Sequence, residues 1–145
     1  MNELVFRNLS EDAKRQICAW KYGGEYDLYN LPAYEEMQVR QIGFMNPKSE
    51  KNYYGFWDES ILVGFVNILE EKEEVFIGIG VNPDFCNKHY GQRMLLITYE
   101  ISKKLYPNKP LYLEVRTWNI RAVKCYQKAG FRIDGQAYEL TTGIG

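Results

Sequence analysis

Three apolar segments separated by two short polar turns occupy residues 53–81, and they constrain the fold more than any other feature. The first two, YYGFWD and ILVGFVNILE, alternate with a period of two around the polar turn at 58–60. This pattern predicts an antiparallel hairpin. A charged turn at 70–74 then precedes VFIGIGV, whose glycines are too frequent for a helix. The segment VFIGIGV is therefore predicted to be a central strand.

Helices and further strands are predicted on both sides of this region. Three more strands are predicted from apolar runs, at residues 3–8, 111–116 and 131–140. Four helices are predicted from capping residues and helical periodicity, at residues 11–22, 32–43, 91–106 and 119–129. This order predicts a mixed, mostly antiparallel central sheet flanked by helices, in the α/β (α+β) class. No repeat or flexible linker interrupts the chain, so residues 1–145 are expected to form one domain.

Composition excludes several classes of function. Lys and Arg number 18 against 19 Asp and Glu, so no overall basic field favours a nucleic-acid partner. Charged residues interrupt the first 16 positions and no apolar run is long enough to span a membrane, which predicts an intracellular, cytoplasmic protein without a membrane partner. Three cysteines and one histidine favour neither a disulfide framework nor a metal site. The oligomeric state stays open, with a homodimer as one option.

A loop between the central strand and the next helix is the first candidate binding feature. The segment VFIGIGVNPDFCNKHYGQRMLL presents free backbone N–H groups at the helix start, where the helix dipole is positive. Lys88, His89 and Arg93 add positive charge around the loop. These features favour an anion such as a pyrophosphate. An ordinary strand-to-helix connection would have the same form and remains an alternative.

This loop resembles the acyl-CoA-binding loop of the GNAT family of N-acetyltransferases, which usually reads Q/R-x-x-G-x-G/A. The equivalent residues here are Cys86, Asn87, Lys88, His89, Tyr90 and Gly91. Gly91 matches the last small residue, whereas Cys86 replaces the usual Gln or Arg and His89 replaces the first Gly. Because a Cβ disfavours positive φ, His89 predicts a loop that is less tight or that binds CoA more weakly.

A second segment, LYLEVRTWNIRAVKCYQKAGF, resembles the C-terminal motif of the same family. The matching residues are Leu113, Val115, Asn119, Ala122, Tyr126, Gly130 and Phe131. The resemblance implies the GNAT fold over nearly the whole chain, with the sheet splayed at the acyl-CoA site. The chain ends where the family usually continues, so the last family strand is expected to be missing or shortened.

The resemblance implies that an acetyl group passes directly from acetyl-CoA, the co-substrate, to a primary amine of a small molecule or peptide, without a metal. Tyr126 would protonate the departing thiolate, and a local resemblance nominates Glu114 as general base. The backbone N–H near Gly80 or Val81 would polarise the thioester carbonyl. The expected acetyl-CoA contacts are Ile79, Gly80, Val81, Cys86, Asn87, Lys88, His89, Tyr90, Gly91, Gln92, Asn119 and Tyr126.

The acceptor pocket is expected to come from the N-terminal helices and their loop. Tyr22, Glu25, Tyr26 and Asp27 are predicted to bind the acceptor, because aromatic rings beside carboxylates suit a cationic amine. Trp20, Tyr29 and Tyr34 belong to the same aromatic run, which could equally serve to pack the helices onto the sheet.

Other interpretations remain open at this point. Tyr126 can be a core aromatic, Asn119 a helix cap, and Glu114 a solvated strand residue. An activated Cys86 thiolate would imply a covalent mechanism, but no partner pattern supports it. At the level of the whole protein, the alternatives are a non-catalytic acyl-CoA sensor or regulatory domain with the same fold, and an unrelated nucleotide-binding module.

Overall fold

The computed structural model describes residues 3–86, 88–116 and 118–132. Five strands of this part of the chain form one mixed sheet in sequence order. The strands are β1 (Val5–Asn8), β2 (Tyr53–Asp58), β3 (Ile61–Glu70), β4 (Val75–Val81) and β5 (Leu111–Tyr112). Strands β1 to β4 pair antiparallel, and β5 pairs parallel with β4. The mixed, mostly antiparallel sheet and the central position of VFIGIGV are confirmed.

Four α-helices flank the sheet in the described residues. They are α1 (Glu11–Ala19), α2 (Tyr34–Arg40), α3 (Tyr90–Leu105) and α4 (Ile120–Lys128). Side-chain caps begin two of them: Ser10 Oγ accepts from the Ala13 N–H, and Asn119 Oδ1 accepts from the Ala122 N–H. Gly130 follows α4 with a φ of 103°, a left-handed ending that glycine adopts without strain. The predicted caps are confirmed.

One apolar cluster lies on each face of the sheet. On the first face, α1 and α2 contribute Ile17 and Met37, which cluster with Phe65. On the second face, α3 and α4 contribute Met94 and Tyr126. Side chains alternate across a strand, so neighbouring residues of β3 belong to different clusters. The sheet therefore separates a side covered by α1 and α2 from a side covered by α3 and α4.

Three predicted elements have wrong boundaries. Helix α1 ends at Ala19 rather than Tyr22, because Trp20 turns to an extended conformation and its ring packs 6.1 Å from that of Phe65. The second helix begins at Tyr34 and ends at Arg40, three residues short of Gly43. The strand predicted at 111–116 pairs with β4 only at its first two residues.

Two further segments differ from the predicted order or fall largely outside the described residues. A short 3-10 helix at Gly24–Tyr29, which the sequence pattern did not predict, connects α1 to α2. The strand predicted at 131–140 lies outside the described residues except for its first two positions.

Candidate active site

A cavity of about 330 Å³ lies where the chain after β5 parts from β4. Its walls come from both faces of the sheet. Ile17 and Phe65 belong to the apolar cluster under α1 and α2, whereas Ala122 and Tyr126 belong to the cluster under α3 and α4. The cavity therefore passes through the sheet at the carboxyl end of β4.

The backbone of β4 can be assigned edge by edge from its hydrogen bonds. The Val75 N–H donates to the Pro110 carbonyl at 2.9 Å, on the side of β5. Just past the other end, the Asn82 N–H donates to the Val63 carbonyl of β3 at 2.8 Å. Because successive residues of a strand direct their N–H and C=O groups to alternate edges, odd-numbered residues face β5 and even-numbered ones face β3.

This alternation distinguishes Val81 from Gly80. The backbone groups of Gly80 face β3, where Gly80 is opposite Phe65. Those of Ile79 and Val81 face the side on which the described pairing with β5 has already stopped at Phe76. The Val81 carbonyl there accepts a hydrogen bond from Tyr22 Oη at 2.6 Å. An extended ligand in the cavity would meet the backbone edge of Ile79 and Val81.

The loop before α3 keeps a glycine-like conformation without the glycine. His89, the N-cap of α3, has φ 66° and ψ 10°, in the left-handed region. The sequence predicted that the Cβ of His89 would make this loop less tight, but His89 still adopts the left-handed conformation that a glycine would allow. For the backbone of the loop, that prediction is therefore wrong. Two residues on, a Cβ at Gly91 would lie 3.1 Å from Cys125 Sγ, so a small residue is needed for α3 to approach α4. The first-turn N–H groups of α3 have no carbonyl partner within the helix.

Helix α4 and its N-cap residue contribute two buried polar side chains to the cavity wall. Tyr126 lines the cavity and is 6% exposed, and this burial, followed by the charges of Cys125 and Tyr29, raises the pKa of its phenol. Asn119 is 3% exposed; besides capping α4, its amide donates to Tyr29 Oη at 3.0 Å. The end of the 3-10 helix and the start of α4 are thus joined beside Tyr126.

Positively charged side chains of α4 line the cavity. Arg121, Lys124 and Lys128 of α4 line it together with His89. Arg121, Lys124 and Lys128 were not predicted from the sequence, although their spacing of three and four residues places them on one helical face. That spacing, on the helix that also carries Tyr126, was the signal that could have identified them.

The structure brings together many of the residues predicted from the sequence. The predicted residues that line the cavity are Tyr22, Ile79, Gly80, Val81, Cys86, His89, Gly91, Gln92, Asn119 and Tyr126. The predicted residues that do not line it are Glu25, Tyr26, Asp27, Lys88, Tyr90 and Glu114. Asn87 lies outside the described residues. Lys88 and Tyr90 are the two described loop residues of the predicted set that do not line the cavity. Lys88 lies over the Phe85 ring, and Tyr90 Oη donates to Asp58.

Two of the predicted acceptor residues point to solvent. Glu25 and Asp27 are exposed on the 3-10 helix. Tyr26 packs against the Trp118 ring at 5.6 Å, and the Arg121 guanidinium lies 4.2 Å from the centre of the Tyr26 ring. Tyr22 is the member of the predicted set that faces the cavity.

Glu114 lies beside Tyr112 rather than in the cavity wall. Tyr112 Oη donates to Glu71 at 2.8 Å. Burial, then the bond to Glu71, raises the pKa of Tyr112 to about 12, and the charges of Glu74 and Glu114 add to the shift. This places the Glu114 carboxylate near the paired end of β5, before the chain parts from β4.

The three cysteines are free thiols. Burial raises the pKa of both cavity cysteines, Cys86 and Cys125, and so favours the protonated thiol over a nucleophilic thiolate. In the part of the chain that the structure describes, no cluster of His, Cys, Asp and Glu is arranged to hold a metal ion. Nor does any described helix have the length and hydropathy to cross a membrane.

Comparison with known proteins adds a family match. Residues 9–131 match the model of the acetyltransferase (GNAT) family. A curated relative named "Probable spermine N(1)-acetyltransferase", from Bacillus subtilis subsp. natto (strain BEST195), is 31% identical over 99 residues. That alignment covers 60% of this chain and 65% of the relative, so the chain spans less than two thirds of the relative's length.

Solved structures share the fold. The spermidine N-acetyltransferase from Vibrio cholerae in complex with CoA and spermine matches with a TM-score of 0.72 and 18% identity, over 97% of this chain and 88% of that one. A GNAT-family acetyltransferase from Bacillus anthracis matches with a TM-score of 0.73 and 18% identity, over 92% of this chain and 82% of that one. At these identities the likeness establishes the fold alone.

Proposed function

The chain belongs to the acetyltransferase (GNAT) family, and from this premise we propose that it transfers an acetyl group from acetyl-CoA to the primary amine of a small molecule or peptide. The observation that carries the proposal is the cavity through the sheet, with positive side chains of α4 and the buried hydroxyl of Tyr126 in its wall. The Vibrio cholerae relative, which was solved with CoA and spermine, supports the same class of reaction.

The residues of the cavity fit the chemical groups of acetyl-CoA. Phosphates require positive charge and N–H donors, which His89, Lys124 and Lys128 and the first turn of α3 supply. The pantetheine arm carries two amides, which can pair with the backbone edge of Ile79 and Val81. The acyl end would then lie beside Tyr126.

The transfer has three chemical requirements, for a nucleophile, for stabilisation of the carbonyl oxygen and for protonation of the leaving sulfur, and each involves a different group. The acceptor nitrogen, unprotonated, forms the new C–N bond as the C–S bond breaks. The Val81 N–H stabilises the negative charge that develops on the carbonyl oxygen, a role that the edge alternation favours for Val81 over Gly80. Tyr126 donates its phenolic proton to the departing sulfur, and the proton released by the amine leaves through a base.

The general base stays a prediction. Glu114 was nominated by a local resemblance, and its position beside Tyr112 is outside the cavity wall. From there it could accept the proton of the amine only through ordered water.

The donor site is tested by calorimetric titration with acetyl-CoA, CoA and ATP. Acetyl-CoA and CoA are expected to bind saturably and ATP to bind more weakly. Lys124→Glu should weaken CoA binding by roughly 3- to 10-fold, because it reverses a charge at the phosphate end. Lys104→Glu on α3, which makes the same change on an exposed residue outside the cavity, is the control. Equal affinities in both variants would contradict the assignment of the phosphate end.

Thiol release separates an enzyme from a sensor. With acetyl-CoA and a panel of primary amines, the proposed enzyme releases free CoA in proportion to acetylated amine. Saturable binding of acetyl-CoA without release on any amine would favour the non-catalytic acyl-CoA-binding domain.

His89→Gly is expected to raise stability by about 1 kcal/mol, because a residue with a Cβ is strained in the left-handed region. It is also expected to tighten CoA binding by making the loop easier to form. Gln41→Gly is a matched control, since Gln41 has φ 50° and lies outside the cavity wall, at the end of α2. The melting temperature should rise in both variants, and the dissociation constant for CoA should change only in His89→Gly. Weaker binding by His89→Gly would show that the imidazole itself contacts the ligand.

A further inference from the structure

The cavity has a second end, on the face of the sheet covered by α1 and α2. Its wall there includes Ile17, Trp20, Leu31 and Phe65, all of which belong to or pack against the apolar cluster of that face. Tyr22 and Tyr29, from the connection between α1 and α2, also line the cavity. Ile17 is 2% exposed and Phe65 is 4% exposed. The Phe65 ring packs against those of Trp20 and Phe44, with centroids at 6.1 and 6.4 Å. This end is aromatic and largely apolar.

The proposed donor position leaves this end for the acceptor. Phosphates bind at the positive end near α3 and α4, and the thioester lies against Ile79 and Val81, where the cavity crosses the sheet. The amine must approach the carbonyl carbon from the remaining side. The part of the acceptor that does not react would then occupy the apolar end.

Charge decides which acceptors fit that end. Among the described residues, the cavity wall contains no carboxylate side chain, and its basic side chains are His89, Arg121, Lys124 and Lys128. The nearby carboxylates that the sequence predicted for this role, Glu25 and Asp27, are exposed on the 3-10 helix and do not line the cavity. A polyamine would have to bury a second ammonium group among apolar side chains, and burying an unpaired charge is strongly unfavourable.

We propose that the acceptor is a monoamine carried on an aromatic or bulky aliphatic group, and that a polyamine is a poor substrate. This inference rests on the proposed acetyl transfer and specifies its substrate class. The apolar group of such an amine would displace water from the wall formed by Trp20, Leu31 and Phe65, which is the main source of favourable free energy for apolar ligands.

The test compares 2-phenylethylamine with spermidine as acceptors, with acetyl-CoA as donor and release of free CoA as the signal. The value of kcat/KM is expected to be at least about tenfold higher for 2-phenylethylamine, a ratio within the range that apolar pockets provide. Acetyl-CoA binding is measured by calorimetry on the same preparation.

Leu31→Glu tests the role of charge directly. A carboxylate in the apolar end should lower kcat/KM for 2-phenylethylamine and raise it for spermidine. Val39→Glu introduces the same charge on α2 at a side chain that is 84% exposed and outside the cavity, and should change neither value. Leu31→Ala enlarges the pocket without adding charge and should lower only the value for 2-phenylethylamine. Melting temperatures identify a variant that has failed to fold. If Leu31→Glu fails to fold, the comparison is made with Leu31→Ala instead.

The outcomes distinguish the inference from the function on which it rests. A preference for spermidine by the unaltered protein would overturn the inference and leave acetyl transfer standing. Binding of acetyl-CoA with transfer to neither amine would also overturn it. An absence of acetyl-CoA binding would instead refute the proposed function.

Discussion

Tyr126→Phe is expected to lower kcat by about 100-fold or more, the usual contribution of a positioned general acid. The dissociation constant for acetyl-CoA should stay within about twofold, because the aromatic ring still fills its place between α4 and the sheet. Steady-state kinetics with the preferred amine, together with calorimetry, measures the two effects separately.

The pH dependence follows from the direction of the pKa shift. Burial raises the pKa of Tyr126, so the phenol keeps its proton at every pH below its ordinary value near 10. The acid role therefore predicts that kcat does not fall between about pH 7 and pH 10 through ionisation of Tyr126. A rise over that range would report deprotonation of the amine or of the base.

Tyr53→Phe is the matched control for the loss of a buried hydroxyl. Tyr53 is 7% exposed, its pKa is also raised by burial, and it lies in the other apolar cluster, away from the cavity. Loss of the Tyr53 hydroxyl should leave kcat unchanged. If Tyr126→Phe and Tyr53→Phe had equal kcat values, Tyr126 would be a packing residue and not the acid.

Gly80→Ala is expected to lower the free energy of unfolding by about 1–3 kcal/mol and to reduce acetyl transfer. A Cβ at Gly80 would lie 2.4 Å from Cε1 and 2.9 Å from Cζ of Phe65. Because the Phe65 ring also packs against Trp20 and Phe44, we expect it to shift toward the cavity that it lines. The variant thus strains the core and narrows the acceptor end together.

Gly78→Ala provides the control on the same strand and the same face. The nearest atom to a Cβ at Gly78 is Phe76 Cε2 at 3.5 Å, an ordinary van der Waals contact. Its unfolding free energy should change by less than about 1 kcal/mol. Chemical denaturation of both variants, with kcat/KM for the amine, checks the pair. Equal stability of the two would show that Phe65 has room to move and would contradict the expected strain at Gly80.

Local patterns were enough to predict most of the fold. The period-two segments of β2 and β3, the glycine-rich strand β4 and the capped helix α4 appear where the sequence predicts them, because each depends on neighbours in the chain. Helix α1 ends early because Trp20 packs against Phe65, a residue 45 positions away. Contacts of that range are not visible in local periodicity.

The candidate site was predictable to the extent that its residues belong to sequential motifs. Tyr126, Asn119 and His89 were found in this way, and all three line the cavity, whereas Lys88 and Tyr90 of the same loop do not. Glu25 and Asp27 were selected for their charge beside aromatic residues, but the 3-10 helix directs them to solvent. The wall formed by Ile17, Leu31 and Phe65 carries no motif, so only packing could reveal it.

The sequence by itself determined the order of the strands and helices from β1 to α4, the caps at Ser10 and Asn119 and the family of the chain, since these depend on residue types at short, fixed spacings. Only the tertiary structure decided that Val81 and not Gly80 turns its backbone to the open edge of β4, because that choice depends on which strand each edge pairs with. The tertiary structure also decided the character of the acceptor end. That surface is assembled from α1, the loop before α2 and β3, and its apolar character follows from burial that residues far apart in the chain create together.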